Sequence, residues 1–238
     1  MTLWLRVRAP FAAFRWMQAG VYRATSPVIP PSAAWGLVLN LAHVETRAAS
    51  DGVTTGIRSD APPLRLAIGA VRSAEVGTLY QQLHSYPVGA SGRELQPRAK
   101  GAKFWIAPVR REFLVGFDAL IGVDSGDEGL SEGLLERIGQ GLRGELGEPR
   151  YGLPFAGDNN LLIDRIDLLD KPLPAEWYAP MAPDAAPTPG SCRLTVAIDR
   201  RESAHTVSPL FAPVYADAPP ESAWTWVPRA PQSASSSK

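Results

Sequence analysis

Six basic side chains stand between Arg93 and Arg111 in the stretch GRELQPRAKGAKFWIAPVRRE: Arg93, Arg98, Lys100, Lys103, Arg110 and Arg111. One acid, Glu94, interrupts them, and Phe104 and Trp105 lie among them. Cations interleaved with aromatic rings suit single-stranded nucleic acid: the charges meet phosphates and the rings stack on unpaired bases. A solvated charged hairpin accounts for the same composition, with Phe104 and Trp105 as its core. FAAFRWMQAGVYR repeats the theme, placing Arg15 and Arg23 among Phe11, Phe14, Trp16 and Tyr22. Phe11 is read here as packing against a helix, and Arg15 as functional.

Catalytic chemistry finds weaker support. His43, His84 and His205 share no metal-ligand spacing. The single cysteine, Cys192, precludes an internal disulfide and a cysteine-rich zinc site. Neither a G-x-S-x-G elbow nor a Walker-type loop is present. YQQLHSYP brings Tyr80, His84 and Tyr86 next to the basic stretch. A metal-independent ribonuclease needs a base for the 2′-hydroxyl and an acid for the leaving oxygen, and His84 with Lys100 or Lys103 could supply them. A lone histidine before a Tyr-Pro turn is more often structural. No catalytic residue, metal or cofactor is assigned.

A third stretch, RYGLPFAGDNNLLIDRIDLLDK, threads Asp158, Asp164, Asp167 and Asp170 through a leucine run behind Gly152 and Gly157. A phosphate cradle, a carboxylate cluster and a turn entering a strand all compete for it. Nothing nearby supplies a nucleophile or a metal-binding histidine. Glycines permit tight turns, and Asn159 or Asn160 tolerates left-handed backbone. The reading is a rigid turn that delivers a strand, with Asp164 and Asp167 alternating toward solvent.

These residues need a scaffold. The chain of 238 residues is 45% hydrophobic and 20% charged, an ordinary globular composition. No apolar run suffices for a membrane span, and MTLWLRVRAPF carries arginines where a signal would be apolar. The cytoplasm is the expected compartment. The net charge of zero conceals an asymmetry: residues 1–120 hold 14 Lys+Arg against 7 Asp+Glu, and residues 121–238 hold 10 against 17. An anionic partner on one face and uneven scatter explain this equally well.

Leu3, Leu5 and Val7 alternate with Trp4, Arg6 and Arg8, which predicts a strand with its arginines on the open face. An irregular segment follows. Ser32 is expected to cap a helix carrying Trp35, Val38, Leu39 and Ala42. Strands are predicted at 64–71 and 117–124, then a helix from a Ser131 cap through Leu134, Leu135, Ile138 and Leu142. Glycines 133, 139, 141 and 144 make that helix weak alone, so packing must hold it. A fourth strand falls near Leu161–Leu168. This order predicts an α+β, modified ferredoxin-like (RRM-like, βαββαβ) domain over residues 1–171. A long β-hairpin insertion is expected at about 73–116, a length that usually signals function. Residues 172–238 read as a C-terminal β appendage on the same domain, with RLTVAIDR (193–200) pairing SPLFAPVY and a disordered tail from about 231.

Taken in order, LWLRVRAPFAAFR, YRATSPVIPPSAAWGLVLNLA, LYQQLHSYPV, IAPVRREFLV and RYGLPFAGDNNLLIDRID resemble the CRISPR-associated Cascade subunit five family of RAMP proteins, in its Myxan/DevS-like branch. The resemblance implies a ferredoxin-like fold whose 73–116 insertion is a thumb. It implies a non-catalytic subunit of a type I Cascade complex that holds the 5′ handle of the CRISPR RNA. Its protein partners would be the large subunit and the adjacent backbone subunit. Target DNA would be met only indirectly, through base pairing by the guide. Arg15, Arg23, Arg110 and Arg111 match handle-contacting motifs. Arg98, Lys100, Lys103, Trp105 and Arg150 complete the RNA-binding set expected from the basic and glycine-rich stretches. One branch of the family cleaves precursor RNA with tyrosine, lysine and histidine, but its adjacent Lys-His pair is missing here.

Overall fold

The computed structural model describes residues 2–48, 56–87, 104–124, 132–200 and 202–228. Arg98, Lys100, Lys103, the Ser131 cap and the tail predicted from 231 lie outside the described residues. Among those described, no helix is long and apolar enough to cross a membrane.

Alternation shapes the first strand as expected. In β1 (Thr2–Ala12), Leu5, Val7 and Ala9 are buried, while Trp4, Arg6 and Arg8 are half-buried on the opposite face. β1 lies between β6 (Phe104–Asp124) and β7 (Arg165–Leu169), antiparallel to both. β4 (Leu64–Ala70) pairs antiparallel with β6 on its other edge. The spatial order is therefore β7-β1-β6-β4. Helix α1 (Pro31–Leu41) connects β1's side of the chain to β4, and α2 (Glu132–Arg143) lies between β6 and β7 in sequence. Leu5, Val7, Ile121 and Val123 share one core with Val38, Leu39, Leu135 and Ile138 of the helices. The architecture is α+β, a mixed sheet with two helices.

Two boundaries differ from the sequence reading. The strand predicted at 117–124 and the returning arm of the insertion are one strand, β6, of 21 residues. Leu114 and Phe117 are both buried, so the period-two pattern changes phase between them. Gly116, with φ 71°, permits that change without breaking the ladder. Ser32 does not cap α1. The helix begins at Pro31 with Pro30 at the cap position, and no side chain bonds there. A proline at the first position has no N–H to satisfy and a preset φ. The Ser32 N–H instead donates to the Thr195 carbonyl at 2.9 Å, so the C-terminal segment does the capping.

The C-terminal strands extend the same sheet. The free edge of β4 is shared by β11 (Trp224–Val227) and β8 (Ala175–Pro180). β10 (Leu210–Ala216) pairs β8, and β9 (Cys192–Arg193) pairs β10. The strand predicted at 193–200 is thus shorter: Leu194 and Val196 are buried, and Ala197 bridges Val207, but no continuous ladder forms. On the face away from the helices, Trp4, Trp177 and Trp224 cluster with Leu120 and Ala67.

Candidate nucleic-acid interface

The segment expected to be irregular after β1 is a hairpin of β2 (Arg15–Ala19) and β3 (Tyr22–Thr25), turning at Gly20 and Val21. β3 runs parallel to β6, with Tyr22 opposite Arg110 and Arg23 opposite Arg111. The Arg110 N–H donates to the Val21 carbonyl at 2.7 Å. On the other edge, β5 (Glu75–Pro87) forms a long hairpin with β6, placing Tyr80 opposite Arg110 and Leu79 opposite Arg111. Residues directly opposite in a ladder share a face. Tyr22, Arg110 and Tyr80 therefore form one row, and Arg23, Arg111 and Leu79 form the row behind it. Tyr80 is 71% exposed and Arg110 is exposed beside it. Arg15 and Trp16, at the start of β2, are exposed as well. Neither Arg15 nor Arg110 has an ion-pair partner among the described residues.

The second row is held from behind by the glycine-rich loop. Arg111 makes an ion pair with Asp158, and both side chains are mostly buried. The Ala13 N–H donates to the Ala156 carbonyl at 2.9 Å, the Ala156 N–H to Leu161 at 2.7 Å, and Asp158 Oδ1 accepts the Asn160 N–H at 3.0 Å. The loop is a turn fastened by these backbone bonds, and it leads into β7. Its carboxylate turns inward onto Arg111.

The model of the family described as CRISPR-associated protein (Cas_Cas5) matches residues 2–144, more than half of the chain. The chain belongs to the Cas5 family. No curated protein matches its sequence. A solved structure described as "CRISPR RNA-guided surveillance complex" shares the fold with a TM-score of 0.59 at 12% identity, covering 92% of this chain and 91% of that one. Another, described as "Crystal structure of Cas protein", aligns over 92% of this chain and 98% of its own at 14% identity, with a TM-score of 0.49.

In this Cas5 chain the structure brings Arg23, Arg110 and Arg111 together on β3 and β6, and Arg15 joins them through β2. Trp105 lies on β6 near the distal end of the β5–β6 hairpin. Arg150 is elsewhere. It donates to the Gly141 carbonyl at 3.0 Å and so closes the end of α2. Tyr80 and Tyr22 were not among the RNA-binding residues expected from sequence. Both are aromatic residues near arginines, but only the strand register places them across from Arg110.

Ion pairs also redistribute the charge asymmetry. Arg8 pairs with Asp167, Arg65 with Asp124 and Glu221, and Arg111 with Asp158. Three cations of the basic first half are thus neutralised by acids of the second half within the fold. Asp167, expected to face solvent, is half-buried between Arg8 and Arg165. Asp164 is exposed in the loop before β7, where its N–H donates to the Arg8 carbonyl at 3.0 Å.

Burial by itself would raise the Asp158 pKa. The Arg111 guanidinium and the Asn160 N–H outweigh burial and hold the carboxyl below its ordinary value of 3.8. A group depressed in the folded state stabilises the fold fully above its unfolded pKa, and that stabilisation is lost as pH falls through the native value. Asp158→Asn is therefore expected to lower stability at pH 7 by about 2 kcal/mol, and the gap to the parent chain should narrow as pH falls below the ordinary value of 3.8. Urea midpoints across that pH range read this directly. A gap unchanged at low pH would show that the carboxylate charge is not its source.

Proposed function

We propose that the protein is a non-catalytic RNA-binding subunit of a type I Cascade complex, holding the 5′ handle of the CRISPR RNA. The large subunit and the adjacent backbone subunit are its proposed neighbours. The observation that carries this is the row Tyr22–Arg110–Tyr80, an exposed guanidinium flanked by two aromatic rings across three strands. Phosphates meet such a cation while unstacked bases lie on the rings.

Family membership and the fold shared with a chain of an RNA-guided surveillance complex support the reading. The order β7-β1-β6-β4, antiparallel throughout, with helices after the first and third of its strands, supports a modified ferredoxin-like core. The β5–β6 hairpin is then the thumb, and Arg98, Lys100, Lys103 and Trp105 are its RNA-facing candidates. Arg15 and Arg110 carry the phosphate contacts, with Arg23 and Arg111 behind them. Arg150 is left to its helix end.

Filter binding of a repeat-derived handle RNA across a salt series tests this. Each phosphate contact on a single strand contributes about 0.7 to the slope of log affinity against log salt. Arg15→Ala with Arg110→Ala is expected to weaken binding and reduce that slope by about 1.4. Binding indifferent to salt and to both substitutions would refute the reading and leave a protein-only scaffold. Incubation with precursor repeat RNA in EDTA, with His84→Ala as control, checks for cleavage, and intact RNA is expected.

A further inference from the structure

Beside the aromatic row, a cleft of about 400 Å³ opens between the β2–β3 hairpin and Ser191–Arg193. That volume is in the range of small-ligand pockets. Its lining is mostly apolar and includes Trp16 and Met17, 46% and 40% exposed, together with Ala24 and Pro27. Exposed apolar side chains of this size on a short hairpin are unusual for a mere surface turn. The carboxylate in the lining is that of Glu112. It is pinned by two donors, the Tyr22 hydroxyl and the Thr25 N–H at 3.1 Å. Each carboxylate oxygen can accept a further bond, so the group is held in place with acceptor capacity remaining. Burial pushes the Cys192 thiol up to about 11, so it stays neutral and adds no charge to the cleft. Arg193 supplies a cation at the lining, one of its nitrogens donating to the Ser208 carbonyl at 3.0 Å.

A phosphate is repelled by Glu112 and attracted by Arg193 and Arg110. A flat ring stacks on Trp16 and Met17. A fixed carboxylate demands a hydrogen-bond donor from whatever enters. We infer that this cleft takes one unstacked nucleobase bearing an exocyclic amine, its N–H groups donating to Glu112 while its phosphate stays with the arginines. The inference rests on the RNA-binding reading above and adds base selectivity to it. Cytosine, adenine and guanine carry such an amine, whereas uracil offers a single N3–H flanked by two carbonyl oxygens that the carboxylate repels.

Fluorescein-labelled rC8, rA8 and rU8 oligomers, titrated against the full chain at fixed salt, test it. rC8 and rA8 are expected to bind about tenfold more tightly than rU8. Trp16→Ala, at an exposed position that the fold does not need, is expected to weaken all three and to erase most of the difference. Glu112→Gln turns one acceptor into a donor and is expected to shift preference toward rU8. Equal affinity for the three oligomers, or a preference untouched by both variants, would overturn the base pocket while leaving RNA binding intact. Failure of all three to bind would overturn the RNA-binding reading and the pocket with it. If Glu112→Gln fails to fold, Trp16→Ala decides alone.

Discussion

Gly141→Ala is expected to destabilise the protein by about 3 kcal/mol or more, while Gly133→Ala in the same helix should stabilise it by about 0.5 kcal/mol. Alanine is favoured over glycine at both positions, by less than in a helix interior because both lie in terminal turns of α2. They differ in what the added methyl meets. At Gly133 nothing lies within 4 Å. At Gly141 the Cβ would overlap the Leu41 carbonyl oxygen at the end of α1. A backbone carbonyl cannot rotate away, so the helices must part. Leu39 and Leu41 of α1 and Ile138 of α2 are fully buried close to that contact and would lose packing. Thermal or urea denaturation of the two variants reads the sign. A stabilised Gly141→Ala would show that α1 and α2 do not meet there.

The second large effect is expected at Gly157. Its φ of 81° is strained for any residue with a Cβ, and that Cβ would also overlap the Ala13 carbonyl oxygen and lie 2.5 Å from Phe14 Cδ1. The left-handed conformation costs about 1 kcal/mol for alanine, and the overlap adds about 1–3 kcal/mol. Gly152 provides the control: its φ is 73°, but nothing lies within 4 Å, so Gly152→Ala should show the backbone cost alone, about 1 kcal/mol. The consequence reaches the interface. Moving residue 157 breaks the bond from the Ala13 N–H to Ala156 and withdraws Asp158 from Arg111. Hydrogen exchange at the Ala13 amide should accelerate in Gly157→Ala and stay near the parent rate in Gly152→Ala. Equal exchange in the two would separate the loop from the interface.

The sequence made several elements legible because their signals are local. Leu5 and Val7 alternate with arginines, Val38 and Leu39 recur at helical spacing, and Leu134, Leu135 and Ile138 mark one face of α2. Those patterns record which side of an element is buried, and the structure buries these residues. The ordered motifs also sufficed to reach the family. The glycine-rich loop was readable as a turn, since glycine permits the left-handed backbone that Gly157 adopts there.

The proposed interface was legible only in part. Arg15, Arg23, Arg110 and Arg111 were marked by charge among aromatics, but their different surroundings were not. Arg111 lies against Asp158, 47 residues away, while Arg110 remains exposed between Tyr22 and Tyr80. Arg150 looked equivalent, and in the fold it donates to the Gly141 carbonyl near the end of α2. Ser32 looked like a cap, and its N–H found Thr195 across the molecule. By itself, then, the sequence determined which residues are apolar, which are cationic and which faces they occupy. The tertiary structure decided which cations are neutralised and which are left beside rings. The physical reason is register: a strand's period of two assigns each side chain a face but not a partner. Partners come from long-range pairing, through ladders and ion pairs that close only when distant segments pack together.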